Sequence, residues 1–315
     1  MKILTVTLLG AVLSAAALLA DPFSFDELLE KPLPPLPARS ELKTNDGLRL
    51  AYYKYAAPAE RASLLFIHGG GAHSGAGYQL LAQELSKQKG VTVYLMDLRG
   101  HGQSTGDRGD AGKSEFVLSD LVNMIHTIQG ESTKPLFLGG HSSGAGLILN
   151  FLTTQKELTV KGVLFVSPEF GFRSKTARDN IKEPFASPHM GIFVLSAFSG
   201  RNLFNSSRAV DFNYPPRILK ADPLLLSGIT TSMAYALTPE APLEQAQGLR
   251  TPVTLVIGEQ DELINPDKLK PYVEMTDPAI RAKSSIKVIP TRKHLSILLK
   301  CSDSLADAID HWLAN

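Results

Sequence analysis

The feature that most restricts the fold of this 315-residue chain is an alternation of short apolar runs with longer amphipathic stretches. The runs resemble strands buried on both faces of a sheet, and they lie at residues 63–67, 91–96, 135–138, 162–166, 252–257 and 285–289. The stretches with helical spacing lie at about residues 78–88, 115–128, 145–154, 266–275 and 302–313. This alternation predicts an α/β fold with a mostly parallel central sheet and helices on both faces. Ligands of such sheets bind beyond the carboxyl ends of the strands.

The alternation stops between residues 169 and 249. This stretch is rich in Phe and Tyr and consists of short amphipathic pieces separated by prolines. A long segment between two core strands is typical of a cap inserted over an active site, and the alternative is a divergent set of core helices. The predicted organisation is a core at residues 41–168, a cap at 169–249 and a second part of the core at 250–315.

The N-terminal segment has the layout of a secretory signal. Lys2 precedes an uncharged run from residue 3 to residue 20, and small residues lie near its end. Residues 1–20 are therefore predicted to be a signal peptide, which places the protein in the periplasm or outside the cell. The alternative is an uncleaved segment that anchors the chain to the membrane. Residues 21–40 contain several prolines and are predicted to form an extended linker.

Composition restricts the partners. The chain has 32 Lys and Arg against 31 Asp and Glu, so no excess of positive charge indicates a nucleic-acid partner. A neutral, small or lipid-like substrate fits this balance better. The single cysteine, Cys301, cannot form an intramolecular disulfide and is expected to be a buried thiol. A lack of disulfides in an exported protein fits a bacterial periplasm.

The pentapeptide at residues 140–144, Gly-His-Ser-Ser-Gly, matches the G-x-S-x-G pattern of serine hydrolases. The pattern alone has little weight, but here it follows a predicted strand and precedes a predicted helix, as the chemistry requires. A sharp strand-to-helix turn raises the central hydroxyl above the sheet and directs the N–H groups of the helix N-terminus at a developing oxyanion. We therefore expect Ser142 to be the nucleophile.

A serine nucleophile needs a base and an acid, which follow it in the order Ser, acid, His in folds of this type. His294 lies on a loop just after the last predicted strand, whereas His189 lies in the predicted cap and His311 inside the last helix. His294 is therefore the predicted base. The preceding predicted strand runs into a turn with three carboxylates. We favour Asp261, because a short side chain on a tight turn orients an imidazole most rigidly, with Glu259 and Glu262 as solvated neighbours.

A glycine-rich loop follows the first predicted core strand, with the sequence His-Gly-Gly-Gly at residues 68–71. Glycines allow backbone N–H groups to approach a substrate oxygen, so the N–H groups of Gly70 and Ser143 are the predicted oxyanion hole. The alternative is a plain glycine turn. Histidines 68, 73, 101 and 141 lie in separate loops without metal-ligand spacing, and we predict neither a metal nor a cofactor.

Five motifs in this order resemble the monoacylglycerol lipase and lysophospholipase branch of the α/β-hydrolase superfamily, a group also described as S33-like serine aminopeptidases. They are the glycine loop at 68–75, Asp-Leu-Arg-Gly-His-Gly-Gln-Ser at 97–104, the Ser142 pentapeptide, Gly-Glu-Gln-Asp at 258–261 and the late His294. The resemblance covers residues 41–315. It implies Ser142, Asp261 and His294 as a catalytic triad, and it implies a mainly structural role for the 97–104 loop.

Three functions remain open at this point. The favoured one is hydrolysis of a lipid-like carboxylic ester through an acyl-enzyme, since an aromatic-rich cap indicates an apolar acyl pocket. The second is an aminopeptidase, which needs a carboxylate for the substrate amine, with Glu169 and Glu183 as candidates. The third is a non-catalytic binding protein on the same fold. Association with a membrane surface is expected to involve either the N-terminus or the cap.

Overall fold

The computed structural model describes residues 24–155, 158–179, 181, 184–201 and 203–315. Its strands, in chain order, are β1 (Arg39–Lys43), β2 (Arg49–Tyr55), β3 (Ala62–Ile67), β4 (Val91–Met96), β5 (Leu136–His141), β6 (Gly162–Val166), β7 (Ala186–Pro188), β8 (Arg208–Phe212), β9 (Gly228–Thr230), β10 (Val253–Gly258) and β11 (Ser285–Ile289). Its α-helices are α1 (Asp26–Leu29), α2 (Tyr78–Lys89), α3 (Ser114–Glu131), α4 (Ser143–Thr154), α5 (Met190–Phe198), α6 (Pro216–Ala221), α7 (Thr231–Leu237), α8 (Pro242–Gln247), α9 (Pro271–Glu274), α10 (Pro278–Arg281) and α11 (Ser302–Ala314).

Eight of the described strands form one sheet in the order β1-β2-β4-β3-β5-β6-β10-β11. The five pairings from β4 to β11 are parallel, and β1 and β2 join at one edge in antiparallel orientation. The turn at residues 45–47 connects this edge hairpin, with Gly47 at φ 88°. The predicted mostly parallel sheet with flanking helices is confirmed.

The central strands are apolar along their whole length because they supply two cores. Along β3, Leu65 and Ile67 face a core with α3 and α4, whereas Leu64 and Phe66 face a second core with α2 and α11. Alternate side chains of a strand point to opposite faces, so a strand covered on both sides must be apolar throughout. Four of the five predicted helices match an observed helix to within a few residues at each end.

The exception is the helix predicted at 266–275. The structure has a 3₁₀ helix at Pro266–Leu269 and then α9, which begins at Pro271. Proline has no backbone N–H to donate and its ring clashes with the preceding turn, so one continuous helix cannot pass through Pro271. The prediction of a single helix here was wrong.

The segment predicted as a cap contains two parts that pack differently. Its first part forms a three-stranded antiparallel sheet in the order β7-β8-β9, together with α5 and α6. Its second part, α7 and α8, packs on α4, and Met233 and Ala246 belong to the main core. The cap and the alternative of core helices therefore each describe one part of this stretch.

The segment predicted as an extended linker is partly ordered against the body of the protein. Residues 26–29 form α1, which contacts the 3₁₀ helix Ser296–Leu299 beside His294, and β1 begins at Arg39. The predicted signal peptide or anchor at residues 1–20 lies outside the described residues. Within the part of the chain that the structure describes, no helix is both long and apolar enough to cross a bilayer.

Candidate active site

Ser142 occupies the turn between β5 and α4, in a backbone conformation that side chains rarely adopt. Its φ is 54° and its ψ is −127°. Two glycines make this turn possible: a Cβ added to Gly140 would lie 2.5 Å from the backbone of Gly144. The backbone of Ser142 is held on both sides, since its N–H donates to Val166 and its carbonyl accepts from Glu169. The strain presents a half-buried hydroxyl at the carboxyl edge of the sheet.

His294 and Asp261 form a buried pair at the same edge. Nδ1 of His294 lies 2.8 Å from Oδ2 of Asp261, and both side chains are almost inaccessible to solvent. The other carboxylate oxygen of Asp261 accepts the backbone N–H groups of Leu263 and Ile264 at 3.0 and 2.9 Å. Arg178 donates to the backbone carbonyls of Asp261 and Glu259, which fixes the turn that carries the acid.

Each member of this pair changes the pKa of the other. Burial alone raises the pKa of Asp261, but the neighbouring His294 and the hydrogen bonds from His294 and Ile264 outweigh it, so the pKa lies below its usual value. Burial alone lowers the pKa of His294, but the Asp261 carboxylate outweighs it and raises the pKa above 6.5. The arrangement therefore stabilises an imidazolium at this position.

The two other carboxylates of this turn differ from each other. Glu259 is exposed, and one of its oxygens accepts the backbone N–H of Thr291 at 3.2 Å. Glu262 is half-buried, and one of its oxygens accepts the backbone N–H of His294 at 2.8 Å. The prediction that Glu262 is only a solvated neighbour was wrong, because its carboxylate accepts backbone N–H groups from both His294 and Ser24.

The glycine loop after β3 lies against the start of α4. A Cβ added to Gly70 would lie 2.9 Å from both Oγ of Ser143 and Cζ of Phe212, so a larger residue there would displace one of these side chains or the loop. The cap holds this loop from the other side: Tyr214 donates to the Gly70 carbonyl at 3.4 Å. Ser143 is the first residue of α4, where backbone N–H groups have no acceptor within the helix. The structure thus brings Gly70 and Ser143 together beside Ser142.

A chain of hydrogen bonds that the sequence did not reveal joins this loop to His294. The Gly69 N–H donates to the Tyr78 hydroxyl at 2.8 Å, and that hydroxyl lies 2.9 Å from Nδ1 of His141. Nε2 of His141 lies 3.0 Å from the backbone carbonyl of His294. A carbonyl can only accept, so Nε2 carries the proton of His141, and Nδ1 accepts from Tyr78. Burial lowers the pKa of His141 to about 3, which keeps the ring neutral.

The remaining histidines near the glycine loop have structural partners. His68 accepts the Leu98 N–H at 3.2 Å, and His73 pairs with Asp222 at 2.8 Å. Burial lowers the pKa of His68 to about 4 and that of His101 to about 3. Within the described ranges, no group of three or more His, Cys, Asp or Glu side chains is placed to hold a metal ion. His189 pairs with Asp211 in the cap, and His311 lies exposed on α11.

A cavity of about 330 Å³ opens onto Ser142 and His294. This volume lies within the range of small-molecule sites. Its walls come from the glycine loop, the cap and the N-terminal segment, and they include Ala72, Ala76, Phe185, Tyr214, Ile218 and Leu225. A hydroxyl, a paired imidazole and backbone N–H donors therefore surround one apolar space, which is the set of groups that acyl transfer requires.

The sheet order and the strained serine turn define an α/β-hydrolase. Residues 58–298, about three quarters of the chain, match the family described as serine aminopeptidase, S33. The chain belongs to that family.

Known relatives give the same fold. A soluble variant of monoglyceride lipase from Saccharomyces cerevisiae superposes with a TM-score of 0.70 at 19% identity, over 90% of this chain and 96% of that one. Monoacylglycerol lipase from Paleococcus ferrophilus gives 0.58 at 24% identity, over 84% and 98%. In sequence, monoglyceride lipase of Rattus norvegicus is 35% identical over 108 residues, 34% of this chain and 35% of that protein. The chain thus spans about a third of the length of that relative.

Proposed function

We propose that this protein is a serine hydrolase that cleaves carboxylic esters, with Ser142 as nucleophile, His294 as base and Asp261 as the acid that orients it. The observation that carries the proposal is the buried pair of His294 and Asp261 at 2.8 Å, in a loop that lines the same cavity as the strained Ser142. Because Nδ1 of His294 faces Asp261, its Nε2 is the nitrogen left to accept a proton from serine.

The reaction follows from these positions. Ser142 Oγ attacks the ester carbonyl carbon while its proton passes to His294, and Asp261 stabilises the imidazolium. The N–H groups of Gly70 and Ser143 donate to the oxyanion. When the tetrahedral intermediate collapses, the C–O bond to the alcohol breaks and His294 protonates the leaving oxygen. Water then attacks the acyl-enzyme with His294 as base, which releases the acid and restores the Ser142 hydroxyl.

The proposed substrate is a lipid-like ester of the monoacylglycerol or lysophospholipid type. The apolar walls of the cavity support this class, because an acyl chain gains free energy in proportion to the area it removes from water. The relatives that carry the name monoglyceride lipase support it as well.

An aminopeptidase activity is less well supported by the site. Burial raises the pKa of Glu169, and its carboxylate accepts the Gly171 N–H, so it is poorly suited to hold a substrate ammonium. The other candidate, Glu183, lies outside the described residues. Turnover of an aminoacyl arylamide compared with that of the matched aminoacyl ester separates the two activities. Ester turnover alone is expected.

The cap is proposed to rest on a membrane surface during turnover. Helix α5 is apolar around most of its circumference, with Phe198 88% exposed and Met190 and Val194 about half exposed. Large exposed apolar patches mark interaction surfaces. The double variant Val194→Ser, Phe198→Ser is expected to lower turnover of a monoacylglycerol held in vesicles relative to turnover of a dissolved ester. An unchanged ratio would contradict a membrane-facing cap.

The location is proposed to be the periplasm or the cell exterior, with membrane anchoring as the alternative. The apolar run at residues 3–20 supports both. Cell fractionation followed by mass determination of the N-terminus distinguishes a cleaved, soluble protein from an anchored one. A cytoplasmic protein with an intact N-terminus would contradict both.

The direct test of the activity is Ser142→Ala. Hydrolysis of p-nitrophenyl butyrate should fall by at least about a thousandfold, because the nucleophile is removed while the fold is kept. Covalent labelling by a fluorophosphonate should also disappear. Ser119→Ala, on the exposed surface of α3, is the matched control and should retain both signals. A wild-type protein that does not react with the fluorophosphonate would favour a non-catalytic binding protein.

A further inference from the structure

The N-terminal segment forms part of the cavity wall. Residues 24–33, here called the strap, contribute Phe25, Leu28, Leu29 and Leu33 to the cavity that also contains Ser142 and His294. The core of an α/β sheet does not require such a segment, since the strap precedes β1 and adds no strand to the sheet. Its apolar side chains therefore call for another explanation.

Two buried side chains hold the strap in place. Phe25 is 7% exposed and packs on Tyr214 of the cap, with ring centroids 5.7 Å apart. Leu28 is 8% exposed and lies so close to Gly77 that a Cβ added there would be 2.8 Å away. Tyr214, Ile218 and Phe25 form a separate small core between the strap and the cap. The strap thus closes the cavity between the cap and α2.

Polar contacts fasten the strap to the elements that carry the site. The Ser24 N–H donates to Glu262, the same carboxylate that accepts the backbone N–H of His294. Glu27 pairs with Arg292, two residues before His294, at 2.5 Å. Asp26 lies 3.6 Å from Arg217 of the cap. The strap therefore has a defined position relative to His294.

Two further leucines of the strap have apolar surface that the protein itself does not cover. Leu29 is 57% exposed and Leu33 is 44% exposed, although both line the cavity. An extended hydrocarbon chain whose carbonyl lies at Ser142 would cover this surface. A polar ligand would leave it in contact with water or with polar groups, at a cost in free energy.

We propose that the strap is the distal part of the acyl-binding site, and that Leu29 and Leu33 determine how strongly the enzyme prefers long acyl chains. This proposal rests on the proposed ester hydrolysis and deepens it. A butyryl chain is too short to contact the whole strap, whereas a lauroyl chain extends along it. The strap then contributes to kcat/KM for long-chain esters more than for short-chain esters.

The test uses the full chain and the ratio of kcat/KM for p-nitrophenyl laurate to that for p-nitrophenyl butyrate. The double variant Leu29→Ser, Leu33→Ser should lower this ratio about tenfold, because two apolar contacts with the distal chain are lost. Leu29→Trp should also lower the ratio, by filling the distal space. Both positions are partly exposed, so the variants are expected to fold. Val288→Ser, 48% exposed on β11 and outside the cavity, is the matched control and should leave the ratio unchanged.

Three results would overturn the proposal. In the first, the laurate-to-butyrate ratio of kcat/KM is the same in all variants and the wild type. In the second, the strap variants cleave every ester faster by the same factor, as expected if the strap only obstructs entry to the cavity. In the third, the variants change kcat/KM only across a series of esters that differ in the alcohol and not in the acyl chain.

If the wild type cleaves no ester, the proposed function fails, and the strap is tested through the labelling rates of a dodecyl and a butyl fluorophosphonate. The variants should lower the dodecyl-to-butyl ratio of those rates, and an unchanged ratio overturns the strap proposal on its own.

Discussion

The Tyr78 hydroxyl lies 2.9 Å from Nδ1 of His141, and this contact links the two loops that flank Ser142. On one side, Tyr78 accepts the N–H of Gly69 in the glycine loop. On the other side, His141 donates to the carbonyl of His294. The side chains of Tyr78, His141 and His294 are all buried, so each hydrogen bond is made without competition from water. The positions of the glycine loop and of the proposed base are therefore coupled.

Removal of the Tyr78 hydroxyl tests this coupling. Tyr78→Phe leaves the Gly69 N–H and the His141 Nδ1 without their partner, so the free energy of unfolding should fall by about 1–3 kcal/mol. The value of kcat/KM should fall between about tenfold and a hundredfold, because the oxyanion donor and the base lose their relative positions. Denaturant unfolding and ester kinetics measure the two effects.

The matched control for this prediction is Tyr94→Phe. Tyr94 is also buried and donates to Glu131 at 3.1 Å, and neither residue lines the cavity at Ser142. Its kcat/KM should remain close to that of the wild type. Equal kcat/KM for Tyr78→Phe and the wild type would show that the two loops hold their positions independently.

The pH dependence should reflect the pair of His294 and Asp261. The base must be neutral to accept a proton, and the Asp261 carboxylate raises the pKa of His294 above 6.5. The value of kcat/KM should therefore fall as the pH drops, with a midpoint above pH 6.5.

Asp261→Asn removes the charge that raises the pKa of His294, so the midpoint of the pH profile should move to lower pH and the maximum rate should fall on the order of 10³- to 10⁴-fold. The pH profile of kcat/KM measures both, and a midpoint that stays in place would assign the ionisation to another group.

Much of the fold could be predicted because the local pattern of apolar residues is compatible with only one arrangement of the strands. A strand such as β3, apolar on both faces, must lie inside a sheet that is covered on both sides. The serine turn was also predictable, since its two glycines and the strand before it are adjacent in the sequence. The places of Gly70, Asp261 and His294 followed from the rule that parallel strands end at one edge.

The remainder of the site depends on distances that no local pattern contains. Nothing in the sequence around Tyr78 indicates that its hydroxyl reaches His141, 63 residues later. Glu262 was misjudged for the same reason, because its partner is a backbone N–H that a charge pattern does not reveal. The strap lies in a proline-containing segment, and tertiary contacts such as the packing of Phe25 on Tyr214 and the pair of Glu27 and Arg292 order it.

Arg99, in the loop that the family resemblance marks as structural, should contribute to stability. It is 3% exposed and pairs with Asp120 at 2.7 Å, and Asp120 is itself 2% exposed. Arg99→Met leaves Asp120 charged, buried and without this partner, so the free energy of unfolding should fall by about 3–5 kcal/mol. Adding Asp120→Asn should restore part of the lost free energy of unfolding.

The control for this prediction is Arg39→Met, which breaks an exposed pair with Glu41 and should change stability by less than about 1 kcal/mol. Similar losses for Arg99→Met and Arg39→Met in urea unfolding would contradict a special role for the buried pair.

Gly70→Ala is a steric test of the oxyanion site. The added methyl group would meet Oγ of Ser143 and the ring of Phe212 at 2.9 Å, so these side chains or the glycine loop itself must move. A displaced Gly70 N–H no longer points at the oxyanion, and loss of one such donor costs about 10²- to 10³-fold in kcat.

Gly130→Ala is the matched control, since nothing lies within 4 Å of the added methyl group in α3. It should keep wild-type kcat and gain up to about 1 kcal/mol of stability, because alanine favours a helix more than glycine does. A Gly70→Ala protein with wild-type kcat would contradict a steric restriction of the oxyanion site at this position.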